Sequence, residues 1–158
     1  MTLFSWLPNL EPIKNYSGNW DTYENALYAI YTQDFIKNKP RYCGKPLVIY
    51  KEPMFKNKEA TFWHIIQEDD YKTGSRIPSM ERCERIRWPK PIIEKCPLPG
   101  CIKTWENIRR RKKRLCIWFN DEYLIVLEIR THYKIFLTSY PTLSEHRKRK
   151  LQNEFESF

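Results

Sequence analysis

The sequence contains few glycines and no known nucleotide-binding motif. Only four of its 158 residues are glycine, and there is no P-loop, no G-x-G-x-x-G and no G-x-S-x-G. A glycine loop that cradles a phosphate is therefore not expected, nor is a serine-hydrolase elbow. The five cysteines form no C-x-x-C pair, and none is paired with histidine at the usual zinc spacing. We expect neither a metal ion nor a cofactor.

Long hydrophobic runs are also absent. No stretch approaches the roughly 18 apolar residues of a membrane-spanning helix, and the start of the chain lacks the basic and apolar segments of a signal peptide. An odd number of cysteines fits a reducing compartment better than a disulfide framework. These features predict a soluble, cytoplasmic protein that makes no contact with a membrane.

What the sequence does have is positive charge and aromatic side chains. Lys and Arg number 28 against 19 Asp and Glu, for a formal charge of +9, and 15% of the residues are aromatic. A chain of this length and composition buries enough surface to fold as one compact unit. The charge favours a polyanionic partner, either nucleic acid or an acidic protein, although a merely basic surface is an alternative.

The N-terminal part of the chain predicts one amphipathic helix. Asp21 and Glu24 have the spacing of a capping box, and apolar residues recur on one face after them. Prolines and a glycine near residue 41 indicate loops around a short strand at 47–50. We therefore predict an N-terminal helical extension over residues 1–40 and a main domain over residues 41–158.

Two short helices are expected next. The segment 60–67 could be a strand or a helix, since its apolar run is too short for periodicity to decide, and we favour a short helix or turn. Pro78 or Ser79 is placed to begin another helix, which Pro89 and Pro91 should end. On this second helix Arg82 and Arg85 are expected to share one face.

The C-terminal half is rich in β-branched and aromatic residues broken by short polar turns. This pattern predicts antiparallel strands at about 101–107, 113–119, 122–130 and 133–140. A final basic helix should follow, capped by Ser144. The whole chain is thus expected to adopt an α+β fold, with a C-terminal antiparallel sheet of about four strands packed against helices.

Six consecutive basic residues lie between the first two of these strands. The positive charges of such a run repel one another unless solvent or an anion neutralises them, so the run is suited to contact a phosphate backbone. The alternative is a solvated loop without a binding role. Trp105 and Trp118 on either side could stack on bases, although alternation places at least one of them in the core. The six residues are Arg109, Arg110, Arg111, Lys112, Lys113 and Arg114.

His64 is the residue whose chemistry is most suggestive. An imidazole can take a proton from a ribose 2′-hydroxyl or give one to a leaving 5′-oxygen near neutral pH, and arginines can stabilise the phosphate between them. Arg76, Arg82, Arg85 and the neighbouring Arg87 are candidates for that phosphate contact. The alternative is that His64, flanked by Trp63 and Ile65, is simply a packed residue with a satisfied hydrogen bond.

Polar groups also gather at the ends of the last two predicted strands. Thr138 and Tyr140 end one of them, and Arg130 ends the other. Sites tend to form at such ends, where a Thr and a Tyr offer donors and a second acid. The alternative is that Thr138 and Tyr140 point inward and only pack.

These groups suit a metal-free phosphodiesterase that acts on RNA. RNA supplies its own nucleophile, so an acid, a base and a cationic clamp are sufficient. Cleavage of DNA would be harder to explain, because no carboxylate cluster for Mg²⁺ is evident.

Three segments together resemble a phage- and plasmid-associated branch of the barnase, EndoU, colicin and RelE-like nuclease superfamily. They are "TFWHIIQE", "RIPSMERCERIRWPKPIIE" and "YLIVLEIRTHYKIFLTSYPTLSEHRKRKLQNEFE", and the resemblance covers about residues 41–156. It implies a small α+β domain with metal-independent endoribonuclease activity, often with a toxin or phage-conflict role. It also implies His64 as acid or base, Arg82 and Arg85 as phosphate ligands, and Thr138 and Tyr140 at the scissile phosphate.

The expected partner is therefore RNA, whether mRNA, tRNA or rRNA, and an acidic antitoxin or inhibitor protein is a further expectation. Two other functions remain open on the sequence alone. One is a non-catalytic nucleic-acid-binding or regulatory protein of a mobile element, and the other is a protein whose basic face docks on an acidic partner.

Overall fold

The computed structural model describes residues 4–158, which adopt an α+β fold. The α-helices in this part of the chain are α1 (Trp20–Tyr31), α2 (Ala60–Ile66), α3 (Met80–Glu84), α4 (Pro89–Lys95) and α5 (Glu145–Glu156). The strands are β1 (Arg41–Tyr42), β2 (Lys45–Pro46), β3 (Val48–Ile49), β4 (Gln67–Asp69), β5 (Arg76–Pro78), β6 (Ile102–Arg109), β7 (Lys112–Phe119), β8 (Tyr123–Ile129) and β9 (Lys134–Pro141). A 3₁₀ turn (Ile13–Tyr16) precedes α1, and a π-helical segment (Thr32–Lys37) continues it.

The main sheet has five strands in the order β3-β9-β8-β7-β6. Strands β6 to β9 form consecutive antiparallel hairpins, close to the four strands that the sequence predicts. The expectation of a purely antiparallel sheet of about four strands is corrected by β3, which pairs in parallel with β9 through Val48 and Ile49. Local patterning could not identify this pairing, because β3 has only two residues and its partner lies far along the chain.

One face of the main sheet, which we call the helix-side face, is covered by helices. Alternate residues of β7 and β8, among them Ile117 and Ile125, are fully buried there in one cluster with α1, α2, α3 and α4. Tyr31 and Phe35 stack at a centroid separation of 5.3 Å, and Phe35 lies edge-on to Phe136 of β9 at 5.0 Å. Residues 20–37 thus share a core with the sheet, and the division at residue 40 stays a prediction.

The opposite face, which we call the outer face, is covered only in part. Helix α5 packs over Trp105, Trp118 and Leu124, and the two indoles meet edge to face at 6.1 Å. Trp105 donates its indole N–H to Glu154 of α5 at 2.9 Å. Both tryptophans are about 1% exposed, so the hypothesis that they stack on bases is wrong and both belong to the core.

A β-bulge in β9 decides which side chains reach the outer face. Thr138 pairs with Val126, whereas Phe136 pairs with Leu127, so Leu137 is an extra residue between them. Residues two apart normally share a face, but the extra residue places Phe136 on the helix-side face and Thr138 on the outer face. Tyr140 follows Thr138 onto the outer face and packs beside the smaller cluster under α5.

Two helix boundaries differ from those predicted. Asn19 caps α1 by accepting from the Thr22 backbone N–H at 2.9 Å, so Asp21 is not the cap. Pro89 begins α4 instead of only ending the helix before it, because a proline is well tolerated at the first helical position. As predicted, Ser144 caps α5, accepting from the Arg147 backbone N–H at 3.1 Å. Of the helices in residues 4–158, none has the length and apolar character needed to cross a bilayer.

Candidate functional site

A cleft of about 910 Å³ opens on the outer face, beside the part that α5 covers. Its floor comes from β9 and β7, one wall comes from α2 and the segment that follows β3, and the other comes from β5 and α3. Five cationic side chains line it against two carboxylates. The cations are Arg76, Arg82, Arg110, Lys112 and Arg114; the carboxylates are Glu52 and Asp69; and the remaining lining residues include His64, Gln67, Trp63, Tyr50, Thr138 and Tyr140.

His64 lies near the C-terminal end of α2 and is half-buried. Burial lowers the pKa of its imidazole, and the positive charges of Arg76, Arg82 and Lys112 lower it further, while the main chain of Leu137 acts in the opposite direction. The neutral ring is therefore favoured near pH 7. A neutral imidazole next to guanidinium groups can accept a proton.

Arg82 joins α3 to the end of α2. Its Nη1 donates to the His64 carbonyl at 3.1 Å and to the Gln67 carbonyl at 2.6 Å. The last carbonyls of a helix have no intrahelical partner, so Arg82 satisfies the His64 carbonyl that α2 leaves free, together with the carbonyl of Gln67, the residue that follows the helix. Thr138 of β9 donates its hydroxyl to the same His64 carbonyl at 3.2 Å. The backbone that carries the imidazole is thus fixed from two sides.

Arg76 of β5 forms the adjoining part of the wall. It donates to the Gln67 carbonyl at 2.9 Å and pairs with Asp69 at 3.1 Å. Both Arg76 and Asp69 are exposed, so the pair is worth little to stability. Its effect is to hold the Arg76 guanidinium at the mouth of the cleft.

The basic run forms the tip of the β6–β7 hairpin. Arg109 pairs with Lys112, and the two residues between them, Arg110 and Arg111, have φ of +51° and +65°. Such turns normally use Asn-Gly, because the left-handed conformation costs other residues about 1 kcal/mol or more. The chain carries this strain at a turn whose first arginine lines the cleft.

Along β7 the strand period separates the basic residues. Lys112 and Arg114 lie two residues apart, share the outer face and line the cleft. Lys113 lies between them and pairs with Glu106 at 3.5 Å. Arg114 donates to Asn107 at 2.9 Å, and burial lowers its pKa.

Glu128 is a buried carboxylate at the edge of the cleft. It accepts from the Tyr50 hydroxyl at 2.6 Å, lies 3.5 Å from Lys112 Nζ and forms an ion pair with Arg130. Burial alone would raise its pKa, but the Tyr50 hydrogen bond and the charges of Lys112 and Arg130 outweigh burial and lower it. Glu128 is therefore ionised and fixes Tyr50 and Lys112 against β8.

Tyr140 lies between two arginines. The Arg82 guanidinium is 5.2 Å and the Arg147 guanidinium 5.4 Å from the centre of its ring. Arg147 also donates to the Tyr140 hydroxyl at 3.4 Å. The oxygen acts as an acceptor in that contact, so its own proton is available to donate into the cleft.

The structure brings together most of the predicted catalytic residues and separates the predicted RNA-binding ones. Of the first group, only Arg85 lies outside the cleft lining. Of the nine residues predicted to bind RNA, four line the cleft, namely Arg76, Arg110, Lys112 and Arg114. The other five, outside it, are Arg87, Arg109, Arg111, Lys113 and Arg130.

Arg85 misses the cleft because α3 ends at Glu84. The prediction that Arg82 and Arg85 share a face assumed a continuous helix, but Arg85 takes the C-cap position with φ −102° and ψ 20°. Its guanidinium donates to the Glu81 carbonyl at 3.0 Å and lies 5.2 Å from the Trp88 ring centre.

Three of the other arginines outside the cleft are engaged by carboxylates. Arg87 pairs with Glu11 at 3.1 Å, Arg109 with Glu154 at 3.8 Å, and Arg130 with Glu128. These ion pairs account for their positions without a nucleic acid.

Sequence reasoning missed several residues of the cleft. Tyr50 reaches it through the parallel β3–β9 pairing, for which the sequence gives no local signal. Trp63 was treated only as packing around His64, yet it lines the cleft, donates its indole N–H to the Phe55 carbonyl at 3.0 Å and packs edge-on against the Phe55 ring at 5.3 Å. The period-2 spacing of Lys112 and Arg114 was a signal that could have separated them from Lys113.

No cluster of three or more His, Cys, Asp or Glu side chains suited to a metal ion occurs within residues 4–158. Comparison of the chain with protein-family models, with curated proteins and with solved structures finds no match.

Proposed function

We propose that the protein is an endoribonuclease that cleaves RNA without a metal ion, through attack of a 2′-hydroxyl on the adjacent phosphate. The observation that carries this proposal is that His64 lines one cleft together with Arg76, Arg82, Thr138 and Tyr140. A base, a cationic clamp and a hydroxyl donor on the walls of one cleft are the groups that this reaction requires. The reaction also agrees with that of the superfamily that the sequence resembles.

His64 is the general base. Its lowered pKa keeps the ring neutral at the pH where the protein would act, so the ring can remove the proton from the 2′-hydroxyl. The 2′-oxygen then bonds to phosphorus, the bond from phosphorus to the 5′-oxygen breaks, and a 2′,3′-cyclic phosphate forms. The bonds of Arg82 and Thr138 to the His64 carbonyl position the imidazole.

Arg82 binds the phosphate as charge builds on it. Both of its carbonyl contacts use Nη1, which leaves the Nε and Nη2 donors for two phosphate oxygens. Because the guanidinium is already fixed, little reorganisation is needed in the transition state. Positive charge around the flanking phosphates comes from Arg76 on the same wall and from Lys112 and Arg114 on the floor.

Tyr140 is the general acid for the leaving 5′-oxygen. Tyr140 lines the cleft, and its hydroxyl accepts from Arg147, so its proton can be donated. Tyr50 is less suited, because its hydroxyl donates to Glu128 at 2.6 Å.

The test is incubation of the purified protein with RNA in EDTA. We expect products with 5′-hydroxyl and 2′,3′-cyclic phosphate ends, and His64→Gln should reduce their formation by about 100-fold or more. The matched control is His146→Gln, which changes an exposed histidine on α5 outside the cleft. Wild-type and both variants should show similar circular dichroism and thermal midpoints.

Two outcomes would contradict the proposal. Cleavage that stops in EDTA and returns with Mg²⁺ would replace the imidazole mechanism with metal-assisted hydrolysis. Salt-sensitive RNA binding with no cleavage under any condition would identify a nucleic-acid-binding protein instead.

A further inference from the structure

A second groove of about 460 Å³ runs next to the cleft, between the β4–β5 hairpin and the N-terminal end of α5. Asp69, Arg76, Arg82 and Tyr140 line both spaces. The groove therefore continues from the cleft at the two arginines proposed to bind phosphate and at the proposed general acid. Its volume lies in the range of small-ligand sites, roughly 300–1,000 Å³. Of the residues that belong to the groove alone, the proposed reaction uses only Arg147, through its contact with the Tyr140 hydroxyl.

Two exposed apolar side chains line this groove. Tyr71, in the β4–β5 turn, is 97% exposed, and Leu143, just before α5, is 48% exposed. The turn itself is ordered, because Asp70 accepts from the Lys72 backbone N–H at 3.1 Å and from the Thr73 hydroxyl at 2.9 Å. A fully exposed aromatic ring on a hydrogen-bonded turn is suited to stack on a base.

The charges of the groove indicate which part of a nucleotide would face each side. Arg147 stands at the α5 side, where it also contacts Tyr140. Glu68 and Glu81 line the opposite part, and neither forms an ion pair with a residue in 4–158. Carboxylates repel a phosphate, but they accept hydrogen bonds from base amino groups. A strand in the groove would therefore direct phosphate towards Arg147 and base edges towards Glu68 and Glu81.

We propose that this second groove binds the nucleotides next to the scissile phosphate of a single-stranded RNA, with Tyr71 stacking on a base and Arg147 contacting the backbone. The inference rests on the proposed function to the extent that RNA is the ligand of the main cleft. It specifies the substrate further: the bases must be unpaired, because base faces and base edges are not free in a duplex.

The test measures binding by isothermal titration calorimetry, with 2′-O-methyl RNA that lacks the nucleophile and so stays intact. The ligands are a 10-mer of mixed sequence, the same 10-mer annealed to its complement, and a 3-mer. The variants are Tyr71→Ala and Arg147→Ala. The controls are Tyr133→Ala and Arg149→Ala, which remove an exposed tyrosine and an exposed arginine outside both spaces.

We expect Tyr71→Ala to weaken binding of the single-stranded 10-mer by about tenfold, the size of one base–aromatic stack. Arg147→Ala should weaken it as well and reduce its salt dependence. Binding of the 3-mer and of the duplex should change less. Variants that bind like Tyr133→Ala and Arg149→Ala would overturn the inference, and so would an equal loss for single strand and duplex.

A cleavage assay on the unmodified 10-mer separates this inference from the proposed function. If the wild-type protein cleaves the RNA while Tyr71→Ala and Arg147→Ala bind it like their controls, the groove proposal is wrong and the nuclease proposal stands. If binding of the single strand depends on Tyr71 but no cleavage occurs, the nuclease proposal is wrong and the groove proposal stands.

Discussion

The two faces of the main sheet are built from the same strands but carry opposite chemistry. On the helix-side face, Leu115, Ile117 and Phe119 alternate along β7 and are buried under four helices. On the outer face, the same strand places Trp118 under α5 and then Lys112 and Arg114 in an open cleft. The difference indicates that one face holds the fold together, whereas the uncovered part of the other is free to carry charge that a core could not accommodate.

The largest expected effect is that a substitution on the outer face abolishes activity but leaves the fold intact. Arg82→Ala removes the fixed guanidinium of the cleft, and the loss of one preorganised donor typically lowers kcat by about 100- to 1,000-fold. Arg85→Ala, three residues later but outside the cleft, is the matched control and should keep most of the activity. Steady-state cleavage of a defined RNA measures both. Equal losses would mean that the site extends beyond the outer face.

The second prediction concerns stability, to which the helix-side face should contribute more than the outer face. Ile117 is fully buried on the helix-side face, so Ile117→Ala should lower the free energy of unfolding by about 3 kcal/mol through lost burial and a residual cavity. Thr138→Val on the outer face removes one hydroxyl bond to the His64 carbonyl and should cost about 1 kcal/mol. Urea denaturation compares the two, and a larger cost for Thr138→Val would break the assignment of stability to the helix-side face.

Much of this two-faced sheet could be predicted from the sequence. Strands β6 to β9 have dense β-branched and aromatic residues and short turns, which local pattern detects well. The parallel strand β3 could not be predicted, because its pairing with β9 depends on tertiary packing and not on its own two residues. The bulge at Leu137 also left no recognisable signal, since the extra residue is neither glycine nor proline. Whether Thr138 and Tyr140 face the core or the cleft therefore had to remain open.

The candidate site was predictable to a similar degree. His64 and Arg82 were identified because histidine and arginine have distinct chemistry, and their meeting depends on α3 crossing the end of α2. The basic run was identified as one surface, although a strand sends alternate residues to opposite faces. Lys113 and Arg114 therefore differ in role even though they are neighbours in sequence. The density of basic residues in the sequence predicts that a basic surface exists, but only the strand register shows which of those residues face the cleft.

A third prediction applies this distinction at the hairpin tip. Arg110 lines the cleft and Arg111 does not, although both are exposed and both have positive φ. Replacing each by Asn, which tolerates that conformation, removes one charge with little added strain. For single-stranded RNA, Arg110→Asn should reduce the slope of log K against log salt by about 0.7, the value for one phosphate contact. Arg111→Asn should leave it nearly unchanged, and equal slopes would mean that the tip binds RNA through diffuse charge.

The smallest predicted effect concerns the pKa of His64, where the charges of the outer face act on its proposed base. Burial and the charges of Arg76, Arg82 and Lys112 lower that pKa below its ordinary value near 6.5. Arg76→Ala should therefore raise it, and Arg85→Ala should not. NMR titration of the His64 ring protons, assigned with His64→Gln, measures the change directly.

The same shift determines how activity and stability depend on pH. Because a base must be neutral, kcat/KM should fall on the acid side with a midpoint below 6.5, and Arg76→Ala should move that midpoint upward. Between the folded and unfolded pKa values the unfolded chain binds more protons, so the contribution of His64 to stability is lost as the pH falls below 6.5. An acid limb that stays in place when Arg76 is removed, while the NMR midpoint moves, would assign the limb to a group other than His64. The imidazole would then not be the base.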